Sequence, residues 1–189
     1  MKIKQAEKDG VRLSIHLDDN SESPREWDNL GKMVCFHKRY ELGDMHDYAD
    51  PEDFKPEEHA VCLSLYLYDH SGITMSCKPF GDRWDSGQVG WVYCDVADIV
   101  KEYGSDTPEN RETAEKVLRG EVKTYDTYLR GDVYGFVLEK ADKCGECGHT
   151  EWEHVDSCWG FYGNDWKENG MLDQAGNEYK ALFDLLKNV

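Results

Sequence analysis

Apolar Val11, Leu13, Ile15 and Leu17 alternate with polar Arg12, Ser14, His16 and Asp18, the period of a half-buried strand. Residues 61–68 are almost continuously apolar or aromatic. Asp69-His70-Ser71-Gly72 then carries turn chemistry and alternation resumes over 73–76, so the pair predicts a hairpin. Further strands are expected over 88–93, after the turn Asp85-Ser86-Gly87, and over 133–139 and 152–161. Helical spacing replaces alternation where Ala114, Val117, Leu118, Val122, Tyr125 and Leu129 share one face. Thr107 as cap, Pro108 at the first position and Gly131 as terminator frame this longer helix at about 107–130. Two short helices are predicted around it. One starts at the capping box Ser23-Pro24-Arg25-Glu26, with Trp27 and Leu30 inward. The other is capped by Asp95, carries Ile99, Val100 and Tyr103, and stops at Gly104. A C-terminal helix with Tyr179, Leu182, Phe183 and Leu186 inward ends the chain.

Strands clustered with helices inserted or appended, rather than strictly alternating, predict an α+β fold with a mainly antiparallel sheet. The 189 residues fit a single domain, 1–189. Two segments stand apart from its periodic parts. Residues 41–58 hold eight carboxylates, one lysine and two prolines, the composition of an exposed acidic loop or insertion. Residues 141–150 form a connector rich in cysteine and glycine.

Charge narrows the partners. With 39 acidic against 22 basic residues the net charge is −17, equal to that of about eight or nine base pairs of duplex at roughly one negative charge per 1.7 Å. Nucleic acid is repelled by such a surface, and the one basic concentration, His37-Lys38-Arg39, is too small for a nucleic-acid footprint. The start of the chain has no apolar core that could serve as a signal peptide, and no run reaches the 18 or so apolar residues of a membrane span. A cytoplasmic setting is the expectation, with no membrane partner. Seven scattered cysteines do not form a secreted disulfide framework and read as reduced thiols or metal ligands.

Four strings carry a resemblance. They are Ser23-Pro24-Arg25-Glu26-Trp27-Asp28-Asn29-Leu30-Gly31, the stretch from Leu65 to Ser76, Trp84-Asp85-Ser86-Gly87-Gln88-Val89-Gly90, and Asp156-Ser157-Cys158-Trp159-Gly160-Phe161-Tyr162-Gly163. Spread over roughly residues 11–165, they resemble a family of small acidic proteins encoded by tailed bacteriophages and prophages. The resemblance implies a bacterial host cell as the setting and supplies no catalytic residue. The string Cys144-Gly145-Glu146-Cys147-Gly148-His149 lies outside the pattern.

That string is the sharpest local motif. A two-residue gap between cysteines, with glycine after the second, lets two thiolates wrap one metal, and tetrahedral zinc needs four ligands. Cys144, Cys147, His149 and His154 would complete a structural zinc site, with Cys158 as an alternative ligand; a plain turn between strands is the competing reading. For catalysis the candidates are Cys158, which needs a base such as His70 or His154 to form its thiolate, and His70 within Asp69-His70-Ser71. Adjacent residues do not converge on one point, so the latter reads first as a turn. No phosphate-binding glycine motif occurs.

Carboxylates give the remaining site. Asp95, Asp98 and Glu102 fall three and four residues apart on one helical face, with neighbouring Cβ atoms about 5–6 Å apart. Glu109 and Glu112, with Asp50, Glu52 and Asp53 of the acidic segment, extend a negative surface whose alternative explanation is solubility. The expected function is that of a non-enzymatic phage accessory protein that binds and modulates a basic host protein, such as a defence or nucleic-acid-handling factor. A small hydrolase using zinc or a Cys/His pair, and a virion component, are the alternatives. The oligomeric state is left open.

Overall fold

The computed structural model describes residues 1–145 and 147–189. The fold is α+β, every strand pairing among the described residues is antiparallel, and its contacts divide the chain into two compact units. One unit combines Met1–Glu22 with Gly131–Val189; the other is Ser23–Arg130.

The first unit is a five-stranded sheet in the order β8-β7-β2-β1-β9. Its strands are β1 (Lys2–Lys8), β2 (Val11–Leu17), β7 (Val133–Lys143), β8 (Thr150–Tyr162) and β9 (Lys187–Asn188). Leu13 and Ile15 of β2 are fully buried with Phe136 and Leu138 of β7, and Met171 and Leu182 cover them. Strand β1 has weak alternation of its own. It forms because Asp9 and Gly10 both take the left-handed conformation of a two-residue hairpin turn (φ 52° and 76°) and fold it back on β2. The C-terminal helix is shorter than its apolar spacing predicts. It comprises α3 (Met171–Ala175), a 3₁₀ turn and α4 (Lys180–Phe183), after which the chain straightens into β9 and pairs with β1. The Leu185 and Leu186 amides close one last turn on the Leu182 and Phe183 carbonyls, and from Lys187 on the backbone bonds to a strand edge instead.

The second unit is a four-stranded sheet in the order β3-β6-β4-β5. Its strands are β3 (Lys32–Cys35), β4 (Val61–Asp69), β5 (Ile73–Ser76) and β6 (Ser86–Cys94), joined by α1 (Val96–Tyr103) and α2 (Pro108–Leu129). Thr107 caps α2, its hydroxyl accepting from the Asn110 amide at 3.2 Å. Ala114, Leu118, Val122 and Tyr125 bury one stripe of α2 among Met33, Leu65, Leu67, Met75 and Val92. Val117, assigned to that stripe by spacing, is instead 37% exposed. The stripe is narrower than the sequence count because the inward face needs only every third or fourth residue.

Two local expectations change. Around Ser23 the helix is a single 3₁₀ turn, Pro24–Glu26, and Trp27 lies outward at 43% exposure while Arg25 turns inward. The acidic segment 41–58 contains two further 3₁₀ turns, and it is pinned rather than wholly exposed, because Leu42 and Phe54 are buried. Phe54 stacks on Trp91 at 4.9 Å and on His59 at 5.0 Å, with Tyr93 5.2 Å away.

Candidate functional site

Arg25 organises the site. Its side chain is 6% exposed and grips Asp44 with two hydrogen bonds, from Nε and Nη2, each 2.8 Å. The same Nη2 donates to the Gly31 carbonyl at 2.6 Å, and Nη1 lies 3.8 Å from Glu121. Asp44 in turn accepts the Met33 amide at 2.7 Å, and Glu121 accepts the amides of Leu30 at 2.8 Å and Gly31 at 3.0 Å. Gly31 has no room for a side chain there, since a Cβ would sit 2.6 Å from Glu121 Oε2. This network fixes residues 28–31 against α2. Burial pushes the Glu121 carboxyl up, against the pull of the two amides and Arg25.

The fixed segment forms one wall of a cleft of about 200 Å³ lined by Asp28, Asn29, Leu30, Asp98, Lys101, Glu102, Tyr103, Val117 and Glu121. Four carboxylates face one lysine there. Asp98 accepts the Asp95 amide at 2.9 Å and binds Lys32 at 3.1 Å. Among the described residues, the side chains of Asp28 and Glu102 make no hydrogen bond or ion pair. Leu30, Tyr103 and Val117 supply the apolar part of the lining. A cleft lined mainly by carboxylates, with some apolar surface, suits a long cationic side chain, which lays its methylenes on the apolar part and turns its charged head to the carboxylates.

The acidic residues singled out by sequence therefore separate. Asp98 and Glu102 of α1 meet in the cleft, joined by Asp28 and Glu121, which spacing along one helix did not show. Asp95 turns elsewhere, bonding Lys32 at 3.3 Å and His59 Nδ1 at 2.7 Å. Burial opposes its ionisation, but the bonds from His59 and Lys32 outweigh that and hold the carboxyl below its usual range. Glu112 pairs with Lys116 at 2.8 Å on the exposed side of α2, where Glu109 also lies. Asp50, Glu52 and Asp53 are exposed around the turn Pro51–Asp53, with the Asp53 carboxylate accepting the Asp50 amide at 3.2 Å. A buried Arg25 was unreadable, because arginine in a polar string reads as surface. Its only sequence signal is its place between the cap and a carboxylate-rich stretch.

The chemical candidates are placed as follows. Cys144, Cys147 and His149 are exposed in the turn between β7 and β8, and Glu146 lies outside the described residues. His154 stands opposite Glu139 on β8, its Nε2 3.1 Å from Ser157 Oγ. Among the described residues, no three His, Cys, Asp or Glu side chains are gathered as a metal ion requires. Cys158 packs against the core of the first unit, whereas His70 belongs to the second, exposed and paired with Asp85 at 2.8 Å. No imidazole is hydrogen-bonded to Cys158 among the described residues, where its Sγ faces the Trp159 carbonyl at 3.8 Å. The Asp156 carboxylate accepts the Ser157 amide at 2.8 Å instead of orienting His154. Among the described residues, no carboxylate is hydrogen-bonded to His154 as the acid of a hydrolytic triad would be. Cys35 is buried, with its thiol pushed up to about 12 mainly by burial; Cys62 and Cys94 are likewise raised to about 11. Burial thus disfavours the thiolate at all three positions.

No helix among the described residues is long and apolar enough to cross a membrane. No protein-family model, no curated protein and no solved structure matches the chain.

Proposed function

We propose that the chain is a non-enzymatic binding protein whose acidic cleft takes a lysine or arginine side chain from a basic partner. The observation carrying this reading is that Asp28 and Glu102, whose side chains have no hydrogen-bond or ion-pair partner among the described residues, line the same cleft as Leu30, Tyr103 and Val117. The partner's ammonium or guanidinium would bridge the two carboxylates while its stem covers Val117, and the Tyr103 ring offers a face for the cation. The net charge of −17 supplies long-range attraction that speeds encounter and is screened over about 8–10 Å at physiological salt. The phage-like strings support a role as an accessory protein in an infected bacterial cell, where occupying a basic groove would block that groove's usual anionic ligand.

Affinity capture from bacterial lysate at graded salt, run in parallel with an Asp28→Asn/Glu102→Gln variant, tests the reading. A basic protein retained at low salt by the wild type and lost by the variant supports it. Equal retention by both would move the binding surface elsewhere.

A further inference from the structure

The turn between β7 and β8 has a geometry that the partner-binding reading does not use. Strand β7 runs beside β2 only as far as Lys140, with the Ala141 amide bonding to Gly10, so at the pairs Asp142–Glu151 and Lys143–Thr150 β7 and β8 pair with each other alone. The base of this hairpin tip is braced by the Arg12 guanidinium, 3.7 Å from the centre of the Trp152 ring. Lys143 pairs with Thr150, and the loop between them is closed by two backbone bonds: Cys144 N–H to the His149 carbonyl at 2.9 Å and Gly148 N–H to the Cys144 carbonyl at 3.0 Å. Gly148 takes φ +71°, which lets the chain double back directly after Cys147. Both thiols are exposed at the end of this tip.

Two cysteines separated by two residues on a tight turn form half of a tetrahedral zinc set, in which sulfur sits about 2.3 Å from the metal. Within one chain the other half is not assembled among the described residues. His154 lies four residues along β8 from Thr150, roughly 13 Å away at about 3.3 Å per residue, whereas a zinc–imidazole bond is about 2.0–2.1 Å. A second copy presents the same two thiols on an identical projecting tip, and a two-fold arrangement needs only that the tips meet.

We propose that zinc joins two copies of this chain, Cys144 and Cys147 of each supplying one half of a four-thiolate site. Four thiols lose their protons as the four zinc–sulfur bonds form, so assembly releases four protons per zinc and weakens as pH falls. Each copy carries a net charge of −17, so the dimer tightens as added salt screens the repulsion. That response is opposite to the one expected for a basic partner in the cleft, so the two readings fail separately.

The test uses the full chain, reduced and loaded with zinc chloride, with zinc content and molar mass measured together. One zinc per two chains and a dimer are expected, both abolished by chelation and by Cys144→Ser/Cys147→Ser, and both retained in His149→Ala and His154→Ala. Cobalt substitution should give the ligand-to-metal absorption of a tetrahedral four-thiolate centre. One zinc per monomer, a dimer that survives the serine variant, or no zinc uptake by the reduced wild type would each overturn the proposal.

Discussion

Replacing Arg25 by methionine keeps the length of the side chain but strands two carboxylates. Glu121 is 12% exposed and Asp44 29% exposed, and between them they bond the amides of Leu30, Gly31 and Met33. Removing one partner of a buried pair typically costs about 3–5 kcal/mol, because the charge left behind is uncompensated. Partial exposure of Asp44 places the expected loss near the lower end, about 3 kcal/mol. If unfolding of the Ser23–Arg130 unit has a urea slope of about 2 kcal/mol per molar, the midpoint falls by about 1.5 M. Adding Glu121→Gln should recover part of the loss, since a neutral amide still accepts the Leu30 amide. The deficit should also shrink as pH falls toward the carboxylate range, because a carboxyl already pushed up by burial takes its proton earlier than an ordinary one. A loss below about 1 kcal/mol, or a deficit independent of both pH and the second substitution, would refute the view that this network holds the cleft wall.

Three further outcomes are expected. Asp95, held below its usual range, contributes stability above about pH 4 that disappears as pH falls through its folded value; Asp95→Asn should therefore flatten the acid limb of the stability profile, and an unchanged limb would contradict the His59 and Lys32 bonds. In alkylation followed by mass spectrometry near pH 8, Cys144 and Cys147 should react while Cys35 and Cys94 resist. Thiols at about 12 and 11 hold a thiolate fraction roughly a hundredfold or more below that of an ordinary thiol near 8.5, so labelling of Cys35 at the rate of Cys147 would count against the packing. Leu118→Ala, at a fully buried position on α2, should cost about 2–5 kcal/mol by calorimetry or denaturant. A cost under 1 kcal/mol would mean that α2 does not seal this core.

The sequence is most informative where one residue type has one physical consequence. The cap at Thr107, the proline behind it and the spacing of Leu118 and Val122 delimit α2 within a residue at each end. Alternation likewise finds β2, and an apolar run followed by turn chemistry and renewed alternation finds the hairpin of β4 and β5. Strand β1 was hidden because Lys2, Lys4, Glu7 and Lys8 mask its pattern, although Asp9-Gly10 is a hairpin signal in its own right. The acidic segment concealed Leu42 and Phe54 for a related reason, since composition averages over a stretch whereas burial selects single residues. The cleft was half legible. Asp98 and Glu102 share a face of α1, but the wall opposite them depends on Leu30 reaching a carboxylate 91 residues away in sequence, and no local periodicity carries that distance.

The claim that matters most is that Asp28 and Glu102 receive a cationic side chain. Titrating a short lysine- and arginine-rich peptide into isotope-labelled protein, and following backbone amide shifts by NMR, addresses it residue by residue. Shifts concentrated at Asp28, Leu30, Glu102, Tyr103 and Val117, saturating at low salt and fading as salt rises, are the predicted result. Shifts spread evenly over residues 41–58 and the outer face of α2, with the cleft residues unmoved, would contradict it.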